Sequence, residues 1–168
     1  MTNMIFQHTW RNVFAPFVPE LSGYLTKTET RRLIKPLETL KLRPLLGVAV
    51  FTQQSRIRFG VNSLYPVMPC RGASGAKSVG LIRITSIIRQ DVRAITDSQA
   101  HAEGFLTIAE FLHVWQLIND PKALHDPEHK CPEAKYHAWA ITFKVEDVCM
   151  DAIYQSLERE DAQKASAS

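Results

Sequence analysis

Lys27, Thr30 and Arg32 stand at i, i+3 and i+5 within the run Lys27-Thr28-Glu29-Thr30-Arg31-Arg32. In an extended segment Thr30 and Arg32 share a face, and a turn after Lys27 brings its amine beside them. A lysine of depressed pKa near a threonine hydroxyl is a nucleophile–base pair, given burial or neighbouring cations to lower that pKa. Arg31, Arg32 and Lys35 raise the local positive potential, which favours the neutral amine. Glu103 is a candidate acid, because a carboxyl held in a cleft has its pKa raised toward neutrality and can protonate a leaving amine. Two other readings stay open. Thr30 and Arg32 can brace the fold while Lys27 contacts phosphate and Glu103 ends a helix before Gly104. Alternatively, the same lysine and arginine can stabilise the phosphorane-like transition state of RNA cleavage. Against this last reading, no pair of histidines lies near the motif to act as acid and base.

Arg71-Gly72-Ala73-Ser74-Gly75-Ala76-Lys77 is a second candidate. Its small residues let the backbone approach a ligand, and Arg71 and Lys77 can take phosphate; the alternative is a simple hairpin connection. The spacing is not that of a P-loop. Tyr65 or Tyr24 can stack on a base, or serve as core. His125, His129, Cys131 and His137 match no standard zinc pattern, and Pro127 interrupts any helix that would present the first two together. No metal and no cofactor is expected.

The net charge of +3 conceals an asymmetry. Residues 27–93 carry thirteen Lys and Arg, Arg83 among them, against three carboxylates, a balance of +10; residues 94–168 carry −7. Such a basic block points to a polyanion-facing surface, unless the two halves neutralise each other across the fold. The chain has 168 residues, 45% of them hydrophobic, and no apolar run long enough for a membrane span. One domain with an ordinary core is expected. The three cysteines are scattered, the start shows no signal-peptide pattern, and the expectation is a cytoplasmic protein with reduced thiols.

The elements that must hold these residues can be read from periodicity. Met4 to Phe6 predicts a first strand, followed by a proline-limited helical stretch to about Tyr24. Thr26 to Ile34 reads as a turn or short strand. Leu45 to Phe51, Ser55 to Phe59, Leu64 to Met68 and Val79 to Arg89 read as strands, the last rich in β-branched residues. Thr96 and Thr107 open capping boxes. The second helix carries Phe111, Leu112, Trp115 and Ile118 at core spacing. Tyr136 to Val145 returns as a strand, and a helix over 147–163 is followed by a frayed end. The pattern predicts an α+β domain on a small mixed β-barrel flanked by helices, with an added C-terminal helix.

Several segments resemble, in order, the ASCH family of the PUA-like superfamily. Lys27, Thr30 and Arg32 match the signature G-x-K-x-x-T-x-R, although Gly23 stands four residues before Lys27 rather than two. Tyr65 to Gly72 (YPVMPCRG), Gly80 to Ile87 (GLIRITSI), Ile95 to Phe105 (ITDSQAHAEGF) and Trp139 to Phe143 are similar to further family segments, so that the resemblance spans roughly residues 22–146. It implies a small PUA-like barrel over residues 1–146, leaving 147–168 as an appended helix and tail. The family is associated with RNA and modified-nucleoside chemistry. One member deacetylates N4-acetylcytidine with a Lys–Thr–Glu set, to which Lys27, Thr30 and, after a one-residue gap, Glu103 are similar in position; other members cut RNA.

The expectation is therefore a cationic cleft for single-stranded RNA or a modified nucleoside. Arg31, Arg32, Lys35, Tyr65, Arg71, Lys77 and Arg83 are the binding candidates. The alternative is a hydrolase, either an amidohydrolase or a ribonuclease, using Lys27, Thr30 and Glu103. A buried, mutually close trio favours the enzyme, a wide exposed basic groove favours the binder, and dispersed cations without a cleft favour a protein-interaction domain.

Overall fold

The chain runs through β1 (Met4–Ile5), α1 (Trp10–Phe14), β2 (Glu29–Leu33), β3 (Thr39–Arg43), β4 (Gly47–Phe51), β5 (Ile57–Gly60), β6 (Leu64–Met68), β7 (Gly80–Asp91), α2 (Asp97–Ala102), α3 (Ile108–Asn119), β8 (His137–Val148) and α4 (Met150–Ala167). These come from a computed structural model, which describes residues 4–6, 9–70 and 77–167. Ile82, Ile84 and Ile87 of β7 and Ala138, Trp139, Ile141 and Phe143 of β8 are buried, which places these two long antiparallel strands at the centre. They belong to a five-stranded sheet of order β1-β6-β7-β8-β2, antiparallel except for the β1–β6 pair. β3, β4 and β5 form a separate antiparallel sheet.

The fold is α+β, as expected, but the sheets do not close into a barrel. Among the described residues no ladder joins the two sheets into a ring. β2 ends at Leu33, where Pro36 offers no amide hydrogen and Leu37 takes φ +63°, so the strand cannot run on into a ladder with β3. Instead the turn after β5 fastens the small sheet to the large one: Asn62 N–H donates to Ile84 O at 2.8 Å, and Ile84 N–H to Ser63 O at 3.2 Å. β7 is bulged between Ile84 and Ser86, which adds local twist there.

Two hydrophobic clusters result. The larger packs α1, the sheets and Ala152 and Ile153 of α4; the smaller gathers Val92, Ile95, Ala100, Phe111, Trp115 and Ala138. α4 is tied to α1 by Trp10 Nε1–H donating to Glu160 at 3.1 Å and by an Arg11–Glu160 ion pair. It continues to Ala167, past the end expected near residue 163. Ile118 departs from the expected helix core: it is 58% exposed, on the side of α3 that lines a cleft.

Candidate active site

β2 is extended, so Thr30 and Arg32 lie on one face and Glu29 and Arg31 on the other. It is an edge strand of the large sheet, paired with β8 through Thr30 opposite Ile141. Just before it, Lys27 is fixed by its backbone N–H donating to Asn12 O at 2.9 Å, while Thr28 N–H donates to Ala102 O at 2.8 Å. These bonds join the start of β2 to α1 on one side and the end of α2 on the other. Glu103 is the residue at which α2 stops. Gly104 follows with φ +91°, a conformation that costs an L side chain about 1–2 kcal/mol and turns the chain back over Asn12.

This local geometry brings Lys27 and Glu103 together across 76 residues. Lys27 Nζ donates to Glu103 Oε2 at 2.5 Å and to Glu103 O at 2.9 Å. Arg31 Nη1 reaches the other carboxylate oxygen at 3.3 Å and pairs with Glu29 at 2.9 Å. Arg31 Nε–H donates to Gln90 Oε1 at 2.8 Å, and Gln90 Nε2–H donates to Gln99 Oε1 at 3.0 Å. The same Gln99 oxygen closes the capping box of α2 on Thr96 N–H. One polar chain thus runs from a helix cap to the buried lysine. Lys27, Thr30, Arg31 and Glu103 are all at most 6% exposed. Burial pushes the Lys27 amine below its ordinary range; Glu103 opposes this, and Arg32 and Arg31 add to it.

These residues line a cleft of about 510 Å³, a size that suits a small ligand. Lys27, Thr30, Arg31 and Glu103 share it with Arg32, Lys35 and Arg58, and an apolar wall is supplied by Phe105, Phe111, Val114, Trp115 and Ile118. Phe6 stands between cations, its ring centroid 5.6 Å from Lys27 Nζ and 5.1 Å from Arg32 Cζ. Arg58, Phe6 and the aromatic face of α3 did not emerge from sequence as site residues. Phe111 and Trp115 do have core spacing, but the helix edge they occupy also borders the cleft.

The remaining sequence candidates sit elsewhere. Tyr65 is 6% exposed in the main core, where its hydroxyl accepts Gly60 N–H at 2.8 Å, so it offers no stacking face. Arg83 on β7 pairs with Glu146 at 2.7 Å and Lys77 is exposed; neither lines the cleft. Arg71 lies outside the described residues, as does the loop through Ala76. His129 pairs with Asp120 at 2.9 Å rather than converging with His125 and His137. A different trio, Asp91, Glu133 and His137, brings its ligand atoms within 4.8 Å of one another, but Arg93 already binds both carboxylates, at 2.6 and 2.5 Å.

No family model and no curated protein sequence matches the chain. The fold is similar to the crystal structure of protein EF3133 from Enterococcus faecalis V583, which carries the family model DUF984. The TM-score is 0.51 at 12% identity, over 89% of this chain and 83% of that one. At that identity the likeness is one of fold: both are small mixed α+β domains. Among the described residues no helix is long and apolar enough to cross a membrane.

Proposed function

We propose that this chain is an amidohydrolase that removes an acyl group from the exocyclic amine of a nucleobase, with N4-acetylcytidine as the model substrate. The observation that carries this is the buried Lys27–Glu103 contact, 2.5 Å long, in a cleft that also presents Thr30. The resemblance of Lys27, Thr30 and Glu103 to the ASCH Lys–Thr–Glu set supports the same reading. A site that only gripped phosphate would leave its lysine exposed and charged; here burial disfavours the ammonium.

The pair can exist as ammonium and carboxylate, or, after moving one proton, as amine and carboxylic acid. Low-dielectric surroundings penalise the ionic form, which brings the two forms closer in energy than in water. The neutral form is the working one. The Lys27 amine takes the Thr30 hydroxyl proton as the threonine oxygen attacks the acyl carbon. The C–N bond then breaks as Glu103 delivers its proton to the leaving base nitrogen. Water hydrolyses the threonine ester, releasing the acid and restoring Thr30. Phe105, Phe111 and Trp115 supply an apolar wall for the planar base.

The alternative of an RNA-binding module draws on Arg32, Lys35 and Arg58 in the same cleft. Incubation of the purified chain with N4-acetylcytidine, followed by mass-resolved chromatography, separates the readings. Cytidine and acetate are expected, with release abolished in Lys27→Ala. Intact substrate together with salt-sensitive retention of single-stranded RNA would overturn the enzyme reading.

A further inference from the structure

We infer that the cleft takes its substrate as a nucleotide: a phosphate monoester is bound by Arg58 and Lys35, beyond the acyl group and at the far end of β2. This rests on the nucleobase reading above. Among the described residues, five cationic side chains line the cleft against the single carboxylate of Glu103, which already contacts Lys27 and Arg31 at one end. The opposite end is a separate construction. Arg58 Nη1 donates to both oxygens of Glu38, at 2.8 and 3.0 Å, and to Leu33 O at 3.1 Å. Lys35 N–H donates to the same Glu38 carboxylate at 2.8 Å, and Trp139 Nε1–H reaches it at 3.2 Å. The Glu38 side chain is only 2% exposed.

Glu38 is therefore a positioning residue that fixes one guanidinium and the backbone of one lysine side by side. Among the described residues, every hydrogen bond of Arg58 runs through Nη1, which leaves the Nε–Nη2 edge to grip an anion with two parallel donors. The exposed Lys35 side chain adds a mobile point charge next to it. Glu29–Leu33 separates this end from Lys27 and Glu103 by roughly 13 Å of strand, at about 3.3 Å per residue, which is on the scale of one nucleotide from base to phosphate. A monoester carries about −1.5 to −2 at pH 7, so it brings a charge to the Lys35 ammonium and to the open edge of Arg58 that a free nucleoside does not.

Calorimetric titration of the full chain with cytidine 5′-monophosphate and with cytidine tests this, beside turnover of N4-acetylcytidine and its 5′-monophosphate. The monophosphate is expected to bind at least about tenfold tighter, a preference that shrinks toward one in Lys35→Glu and in Arg58→Gln. Lys35 is exposed, so its variant reports even if loss of the Arg58–Glu38 pair disturbs folding. Arg58→Lys, which keeps the charge and loses the fork, should lie between. Equal affinity for the two ligands, or a preference untouched by both substitutions, would overturn the inference. Equal hydrolysis of both acetylated substrates would do so while leaving the amidohydrolase standing. Selective binding of the monophosphate with neither acetylated substrate consumed supports the phosphate site and removes the amidohydrolase.

Discussion

Lys27 is buried next to a carboxylate and two guanidinium groups, and that environment makes its proton the variable on which stability and the proposed turnover both depend. Its folded pKa lies below the unfolded value of 10.5. The mechanism needs the Lys27–Glu103 pair to keep its one proton, so kcat/KM is expected to fall as rising pH removes it, with an inflection below the ordinary lysine range, in a pH–rate profile. The sign for stability follows from linkage. Between the lowered pKa and 10.5 the unfolded chain holds a proton that the folded chain has released, so stability rises with pH through that window. The contribution is complete above 10.5 and lost as pH falls through the folded pKa. Denaturant midpoints measured across pH should show this rise, and Lys27→Met should flatten it. Thr30→Ala should lower kcat by about two to four orders of magnitude, with partial rescue by Thr30→Ser. If Thr30 only braced the strand, both variants would turn over normally. Removing one member of the buried pair, in Lys27→Met or Glu103→Leu, should cost about 3–5 kcal/mol, moderated by Arg31; the double variant should recover most of that loss. Thermal unfolding of the three variants checks the pattern.

At the level of elements, the site depends on where α2 stops. Gly104→Ala forces a Cβ into a left-handed position and to within 3.0 Å of the Asn12 amide. It should lower Tm and also kcat, because the strain is taken up by the residue that follows Glu103. A fall in Tm with unchanged kcat would show that the acid is held by α2 alone. Much of this was legible beforehand: the Thr96 box, the strand at Val79 and the return at Tyr136 all carry local signals, and α2, β7 and β8 form there. The Thr107 box is only half made, because Glu110 accepts Leu106 N–H instead of reaching back to Thr107. β3 went unread because Thr39-Leu40-Lys41-Leu42-Arg43 is a short edge strand with four of its five residues exposed, so its alternation marks no buried face. Leu45 and Leu46 looked like the start of the next strand, but Leu45 takes φ +63° and Gly47 φ +95°, which moves the strand start to Gly47. Lys27, Thr30 and Glu103 were brought forward by residue type together with the resemblance to the ASCH signature, and the structure places all three along one cleft. Their partners Gln90 and Asn12 could not be named in this way, because what selects them is a tertiary approach.

Across the whole molecule, part of the charge asymmetry is met within the fold. Lys27 and Arg31 meet Glu103, Arg83 meets Glu146, and Arg93 meets Glu133, each pair linking the basic stretch to the acidic one. The sequence showed the two blocks and left open whether they face a polyanion or each other; these four contacts follow from tertiary approaches that composition does not encode. The cleft gathers Lys27, Arg31, Arg32, Lys35 and Arg58, and its volume of about 510 Å³ is that of a site for one small ligand rather than for a track of nucleotides. This separates a nucleotide enzyme from a nucleic-acid groove by measurement. For single strands the salt slope of log K is about −0.7 per neutralised phosphate, so a protein that tracks RNA along its surface shows a slope of several units. Here a 20-nucleotide single strand is expected to bind with a slope near −1, corresponding to one or two phosphates. Its affinity should lie within a few fold of that for a mononucleotide. A steep slope, with affinity climbing with strand length, would mean that Arg56, Arg89, Lys77 and the other exposed cations act together outside the cleft, and the site would then be the reading head of an RNA-binding surface.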